Sequence, residues 1–259
     1  MKKGFLKEVI YRLDYLYLPT NVFENLYNHL FSIFNSKLQN IRADYAEPNS
    51  LNNDNQVRDR CYSMSSLDER EVLKISRNCI IFDFKLKQDN SEQYNSWVDK
   101  VIEYVNKNKN AFIIKRIGIR KNNCFYIENE YLDQLNDIFN KDFSYHSSED
   151  MNIYSMDNRQ IFEKENAFLG FYSKIGTGIL SEESLGVKNK KANLVQFDFD
   201  YYSTNKNCIE ECLSNPSNFL LQVQSIILKC FLNIVNKNAL KYIDNKKDMY
   251  EKYHAILID

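Results

Sequence analysis

Three segments of this chain repeat one pattern, in which an aspartate stands among large apolar residues that occupy every second position. They are residues 10–16 (IYRLDYL), 79–85 (CIIFDFK) and 194–200 (LVQFDFD). Successive side chains of a β-strand point to opposite faces of the sheet, so this alternation predicts three strands, each with one apolar and one charged face. Such strands need a second layer that covers the apolar face.

Segments with the apolar spacing of amphipathic helices follow these strands, and further strand-like segments lie between them. Residues 20–34 and 91–108 follow the first two strands, and the chain after Ser217 has mainly helical spacing. The sequence therefore predicts an α+β fold: a largely antiparallel sheet, or sheets, with helices packed on one face and a helical C-terminus. The repeated pattern also suggests two related strand–helix halves.

The length and the 44% of hydrophobic residues predict a folded chain rather than a disordered one. We expect a single domain over residues 1–259, with two lobes over 1–140 and 150–259 as the alternative organisation. Two polar stretches predict long loops at 43–60 and 140–158.

Turn-forming residues predict further boundaries. We expect a hairpin of strands at 61–76 and 78–87, and helices at 130–139, 217–236 and 239 to about 256. The segments 112–120 and 124–128 are expected to form two separate strands. Glycine adopts tight-turn conformations without strain, so the run GTG at 176–178 predicts the tip of a hairpin.

The charge balance excludes a global electrostatic attraction to nucleic acid or to anionic lipid. Lys and Arg total 34 and Asp and Glu total 35, which gives a formal net charge of -1. The most apolar stretch, 219–235, is too short and too polar to span a membrane, and the N-terminal segment lacks the features of a signal peptide. We therefore expect a cytoplasmic protein with no membrane association and with six reduced cysteines.

Arginine is scarce, at 9 of the 34 cationic residues, whereas asparagine occurs 33 times, as is typical of proteins from AT-rich genomes. Arg116 and Arg120 nevertheless share one face of an expected strand, with Gly118 between them. Arginine is suited to bidentate binding of carboxylate or phosphate, and glycine permits the close approach of a backbone or ligand. The charged faces of the other strands contribute Asp14, Asp83, Asp198 and Asp200.

Two interpretations of these seven residues stay open. They form either a solvated surface with cross-strand ion pairs or an interaction face for a protein partner or a second copy of the chain. Basic and aromatic residues also alternate near Arg116, as they do on strands that stack single-stranded bases, so nucleic acid is a further candidate partner.

A catalytic alternative uses the same aspartates. Asp198 and Asp200 lie two residues apart on one strand face, a spacing with which carboxylates hold Mg²⁺ in phosphoryl-transfer enzymes. Asp83 is the third candidate catalytic residue, because Glu71, Asp83 and Lys85 loosely match an acidic and basic pattern found in nucleases. The three histidines show no metal-ligand spacing, so the leading hypothesis includes neither a cofactor nor a committed catalytic residue.

The segments KRIGIRKN at 115–122 and FDFDYY at 197–202 resemble a family of sporadically distributed bacterial proteins of about this length for which no reaction is known. Its members show Arg-Ile-Gly-Leu-Arg-Tyr-x-Asn after a Trp-containing helix, and a paired-Asp strand before a long C-terminal helix. Trp97 fits that order, whereas Lys121 replaces the usual Tyr. The sporadic distribution implies horizontally moved, antiviral gene neighbourhoods.

These observations lead to two hypotheses from different classes. The first is a non-enzymatic binding or assembly protein of a bacterial phage-defence or mobile-element system, which uses its charged sheet face to bind a protein or nucleic-acid partner. The alternative is a metal-dependent nuclease or other phosphoryl-transfer enzyme that uses the strand aspartates.

Overall fold

The structure, a computed structural model, describes residues 6–45, 60–86, 91–140, 155–164, 167–243 and 245–257. Ten strands occur in these ranges: β1 (Leu6–Tyr15), β2 (Asn40–Tyr45), β3 (Arg60–Ser65), β4 (Glu71–Ile75), β5 (Cys79–Lys85), β6 (Ile114–Glu128), β7 (Ser155–Lys164), β8 (Ala167–Glu182), β9 (Val187–Ser203) and β10 (Ala255–Leu257). The same ranges contain seven α-helices: α1 (Thr20–Phe34), α2 (Ser91–Lys107), α3 (Leu135–Ile138), α4 (Lys206–Ser214), α5 (Pro216–Ile234), α6 (Lys237–Ile243) and α7 (Lys246–Tyr253).

All the described strands belong to one antiparallel sheet. Its order is β2-β3-β4-β5-β1-β6-β9-β8-β7, and β10 pairs with the second half of β6. Helices α4 to α7 form most of the C-terminal part. These findings confirm the predicted α+β fold, with a largely antiparallel sheet and a helical C-terminus.

The apolar alternation of the strands places the helices on one side of the sheet. In β1, the side chains of Tyr11, Leu13 and Tyr15 are buried, whereas the intervening Arg12 is exposed. The buried side chains of β1, β5, β6, β8 and β9 join those of α1, α2, α4 and α5 in one continuous core. Burying a large side chain such as Phe82 contributes about 1.5–3 kcal/mol, so this layer packing dominates the stability.

Two strand predictions are wrong because pairing extends through polar residues. The strands expected at 112–120 and 124–128 merge into the single strand β6, which begins at Ile114, since its middle pairs with both β1 and β9. The run at 176–178 lies inside β8, where it pairs with residues 192–194 of β9, and is not a hairpin tip. The turn follows at 183–186 and ends with Gly186, whose φ of 68° suits glycine.

Other boundaries differ by local turns. The stretch predicted as one strand at 61–76 divides into β3 and β4, because the Ser66 hydroxyl accepts hydrogen bonds from the backbone N–H groups of Arg70 and Glu71 in the turn. The turn at 76–78 between β4 and β5 is confirmed. The helix expected over 239–256 divides into α6, α7 and β10.

The two predicted loops lie largely outside the described residues. Residues 43–45 and 60 of the first belong to strands β2 and β3, and residues 155–158 of the second belong to β7. The remaining residues, 46–59 and 141–154, are not among those described.

The sheet continues from one predicted lobe into the other. β6 lies in the first and β9 in the second, and they pair along twelve residues from Ile117–Ser203 to Glu128–Ala192. A buried network also joins the two parts, because Gln224 of α5 donates hydrogen bonds to Tyr11 of β1 and Asn95 of α2 at 3.2 and 3.1 Å. In the described part of the chain, no helix combines the length and apolar character needed to cross a bilayer.

Candidate binding face

The predicted charged residues meet on the face of the sheet that is opposite the helices. Strands β5, β1, β6 and β9 are consecutive neighbours, and the register places Asp14 opposite Arg116 and Arg120 opposite Asp200. Residues that are directly opposite in an antiparallel pair share a face. We call this surface the open face; its central residues are Glu8, Arg12, Asp14, Asp83, Lys85, Arg116, Gly118, Arg120, Asn122, Asp198, Asp200 and Tyr202.

Arg120 binds Asp198 in a bidentate pair. Its Nε donates to Oδ1 and Oδ2 of Asp198 at 2.9 and 2.8 Å, and its Nη2 also donates to Oδ2. Asp198 is only 6% exposed, whereas the Arg120 side chain is 48% exposed. These hydrogen bonds raise the pKa of Arg120 despite partial desolvation. The arginine therefore holds a carboxylate of its own chain and still presents part of its guanidinium to solvent.

Arg116 has a different environment. Its Nη2 lies 3.5 Å from Oδ2 of Asp200, and its guanidinium lies 4.5 Å from the ring centroid of Tyr202. Burial raises the pKa of Asp200, and the opposing effect of Arg116 does not cancel it. Within the described residues, the Nε of Arg116 is buried and has no hydrogen-bond partner. Arg116 is thus positioned by a weak ion pair and a cation–π contact.

Gly118 lies between the two arginines and opposite Tyr202. A Cβ atom added there would meet the carbonyl oxygen of Tyr201 at 3.4 Å and Cβ of Tyr202 at 3.7 Å. These are close to ordinary van der Waals distances, so packing within the chain does not demand glycine. On the neighbouring β1, Arg12 donates to Asp14 at 2.8 Å.

A carboxyl pair, Glu8 and Asp83, forms the other end of the open face. The pKa of Glu8 is raised, first by burial and then by the charge of Asp83 and the hydrogen bond between the two groups. Among the described residues, Oδ1 of Asp83 is buried without a hydrogen-bond partner.

Sequence reasoning missed Glu8 and the aromatic residues of this face. Glu8 has the same parity as Arg12 and Asp14 in β1, which was the signal that could have identified it. Tyr202 stacks on Phe168 of β8 with ring centroids 5.1 Å apart. Farther along β8, the ring of Tyr172 lies over Gly170, where an added Cβ would approach it to 2.8 Å.

The geometry separates the residues of the catalytic alternative. Asp83 of β5 is three strands away from Asp198 and Asp200 of β9, about 14 Å at the usual strand spacing. Arg120 occupies the Asp198 carboxylate. No group of three or more His, Cys, Asp or Glu side chains suited to a metal ion occurs in the described ranges. Candidate Mg²⁺ ligands Asp198 and Asp200 are therefore joined to arginines rather than to further carboxylates.

A groove of about 1230 Å³ lies on the helix side of the sheet, between β7, β8 and α5. Its walls are mainly apolar, with Phe162 of β7, Phe171 of β8 and Val223 and Ile226 of α5 among them. Cys208 of α4 also lines it, whereas burial raises the pKa of the nearby Cys212 to about 12, which leaves that thiol un-ionised at neutral pH.

No protein-family model matches the chain, and no curated protein matches it. The function proposed below therefore rests on the sequence and on the geometry of the open face.

Proposed function

We propose that this protein is a non-enzymatic binding or assembly protein whose open face docks a protein partner. The observation that carries the proposal is the preformed set of arginine–carboxylate pairs on a sheet surface opposite the helix layer. Arg120 and Arg116 are held in place before any partner arrives, so little side-chain entropy is lost on binding. Both side chains remain partly exposed.

The charge pattern favours a protein over nucleic acid. The central open face carries five carboxyl groups and four cations: Glu8, Asp14, Asp83, Asp198 and Asp200 against Arg12, Lys85, Arg116 and Arg120. A nucleic-acid surface needs an excess of cations that neutralise phosphates. Mixed charges beside the aromatic pair of Tyr202 and Phe168 suit the polar and aromatic surface of a protein.

The test removes both partners of the Arg120–Asp198 ion pair at once, so that no unpaired charge stays buried. Arg120→Met combined with Asp198→Asn removes both charges of the bidentate pair, so folding should be retained. Proteins captured by the wild-type chain from its source cells would be purified and titrated against both forms by calorimetry. We expect binding of the specific partner to weaken at least tenfold in the double variant.

Arg42→Ala is the matched control. Arg42 lies on β2, five strands or about 24 Å from β6. It forms an exposed ion pair with Glu69, with an N–O distance of 2.8 Å. Its loss should leave partner binding unchanged. Equal binding by wild type and the double variant would reject the proposed face. Mg²⁺-dependent cleavage of DNA or RNA by pure protein, lost in Asp198→Ala, would instead establish the phosphoryl-transfer alternative.

We also propose that the partner belongs to a bacterial phage-defence or mobile-element system and that the two act in the cytoplasm. The support is the resemblance of residues 115–122 and 197–202 to the sporadically distributed bacterial family. Expression of the gene with its chromosomal neighbours should reduce phage plating, and the Arg120→Met, Asp198→Asn variant should lose that protection. Equal plating with and without the gene set would contradict this context.

A further inference from the structure

Strand β7 forms one edge of the sheet, and its outer backbone has no strand neighbour in the described part of the chain. It is ten residues long and contains no proline. Ile161 and Phe162 are 48% and 53% exposed. Natural proteins usually protect such edges, because unpaired N–H and C=O groups offer a template for another strand.

The side chains of β7 are divided between the two faces of the sheet. Ile161 pairs with Gly170, and Arg159 pairs with Tyr172, so both lie on the open face together with Glu163. Phe162 and Gln160 lie on the helix side and line the groove beside α5. Arg159 and Glu163 are both exposed, and the guanidinium of Arg159 lies 5.0 Å from the ring centroid of Tyr172.

A second copy of the chain can pair with this edge about a two-fold axis. We consider only dimers in which the helices of both copies lie on the same side of the joined sheet. Odd-numbered residues of one β7 must then lie opposite odd-numbered residues of the other, and even-numbered residues opposite even-numbered ones. If the two-fold axis passes through Arg159, the Arg159 side chains of the two copies lie directly opposite each other. If it passes through Gln160, Asp157 of one copy lies opposite Glu163 of the other. If it passes through Phe162, Ile161 lies opposite Glu163. Each of these registers places like charges, or a charge and an apolar group, in direct opposition.

The register centred on Ile161 has none of these conflicts. In this register the two Ile161 side chains lie opposite each other. Arg159 of each copy lies opposite Glu163 of the other, and all six side chains are on the open face. On the helix side it places the exposed Phe162 opposite Gln160 of the second copy, beside the apolar groove. The paired stretch covers residues 158–164, so it ends before Asp157.

From this complementarity we propose that the protein forms a two-fold homodimer by antiparallel pairing of β7 with β7, in the register centred on Ile161. The dimer joins the two sheets into one and extends the open face across the axis. This inference rests on the edge strand β7 and not on the central residues of the open face, which the proposed function uses, so either can fail without the other. A seven-residue strand pair is smaller than a standard protein interface, so association should be concentration-dependent.

The test exploits the reciprocal ion pairs. Sedimentation equilibrium of the full chain at low salt should show conversion from a 30.8 kDa monomer to a species of twice that mass. Arg159→Glu places two carboxylates opposite each other at both ends of the paired strands, and Glu163→Arg places two arginines opposite each other there. Each variant alone should dimerise at least tenfold more weakly. An equimolar mixture of the two variants should dimerise again, because every opposition in the mixed pair is attractive.

The control is Arg42→Glu, the same reversal on the opposite edge strand β2, which should dimerise like the wild type. Circular dichroism and thermal melts establish that every variant is folded. A wild type that stays monomeric throughout would overturn the proposal. So would a dimer that persists unchanged in Arg159→Glu, or a variant mixture that stays monomeric, since each shows that these charges do not meet.

Discussion

The buried Asp198 carboxylate is compensated by hydrogen bonds from the guanidinium of Arg120. It is 6% exposed, and Arg120 donates to both of its oxygens. A buried carboxylate without a partner is strongly destabilising, whereas an exposed ion pair contributes little. At the scale of single residues, burial therefore decides which charged side chains of the open face also affect stability.

Arg120→Ala should lower the free energy of unfolding by about 1–3 kcal/mol, because it leaves the Asp198 carboxylate without its donor. The Arg120→Met, Asp198→Asn variant should lose less, since no charge remains uncompensated. Urea denaturation followed by Trp97 fluorescence measures both. The exposed control Arg42→Ala should change stability by no more than about 0.5 kcal/mol. If the single and double variants lose the same free energy of unfolding, the cost comes from losing the ion pair and not from an unpaired Asp198 carboxylate.

Glu8 gives the chain a pH dependence opposite to that of most carboxylates. Its pKa in the folded protein is raised above the ordinary value by burial and by Asp83, so the folded state retains the Glu8 proton more strongly than the unfolded state. Its contribution to stability is present below the ordinary glutamate pKa. That contribution is lost as pH rises through the raised folded-state pKa.

Glu8→Gln should consequently be more stable than wild type at pH 7.5, and this difference in the free energy of unfolding should shrink towards pH 4.5. Thermal melts of both proteins across this pH range provide the measurement. Glu24→Gln, which removes an exposed carboxylate on α1, corrects for the loss of one charge. A Glu8→Gln difference that does not vary with pH would mean that the pKa of Glu8 is not raised in the folded protein.

At the scale of elements, the second half of β6 is joined to β9 and α7 by one carboxylate. Lys190 of β9 donates to both oxygens of Glu128 at 2.9 Å, and Tyr250 of α7 donates at 2.6 Å. Burial raises the pKa of Glu128, but the hydrogen bonds from Tyr250 and Lys190 lower it by more. This cluster holds the C-terminal helices against the end of the sheet.

Tyr250→Phe should lower the free energy of unfolding by about 1 kcal/mol at neutral pH, because Glu128 loses its shortest hydrogen bond. A depressed carboxyl pKa contributes stability above the ordinary glutamate value and loses it as pH falls through the folded-state pKa. The gap between wild type and Tyr250→Phe should therefore narrow below about pH 4. Tyr242→Phe, on α6, is the matched control. A gap that stays constant down to pH 3 would contradict this assignment.

For the whole molecule, a sheet that passes through both predicted lobes favours one cooperative unit. The pairing of β6 with β9 and the network of Tyr11, Asn95 and Gln224 cross between residues 1–140 and 150–259. Neither half can expose its edge of the sheet without exposing the shared core.

We therefore expect one unfolding transition for residues 1–259. Trp97, the single tryptophan, reports on the first half, and hydrogen exchange of β9 peptides reports on the second. Both probes should give the same urea midpoint within error. Two separated midpoints would support the two-lobe alternative.

Most of the correct sequence predictions followed from the alternation of apolar and charged residues along the strands. The strands around Asp14, Asp83 and Asp198 have the expected faces because parity is a local property of the backbone. The continuity of β6 could not be predicted in this way. Asn122 and Asn123 interrupt its apolar pattern, and only pairing with β1 and β9 keeps that stretch extended.

The α+β class, the apolar face of each strand and the charged residues available to the open face all follow from the order of residues along the chain. Which of these charged residues meet follows from the strand order of the folded sheet. Strand order places β6 between β1 and β9, and this brings Arg120 to Asp198 across 78 residues of chain while keeping Asp83 three strands away. The physical reason is that side-chain parity follows from backbone geometry alone, whereas strand order depends on how the whole apolar surface is buried at once.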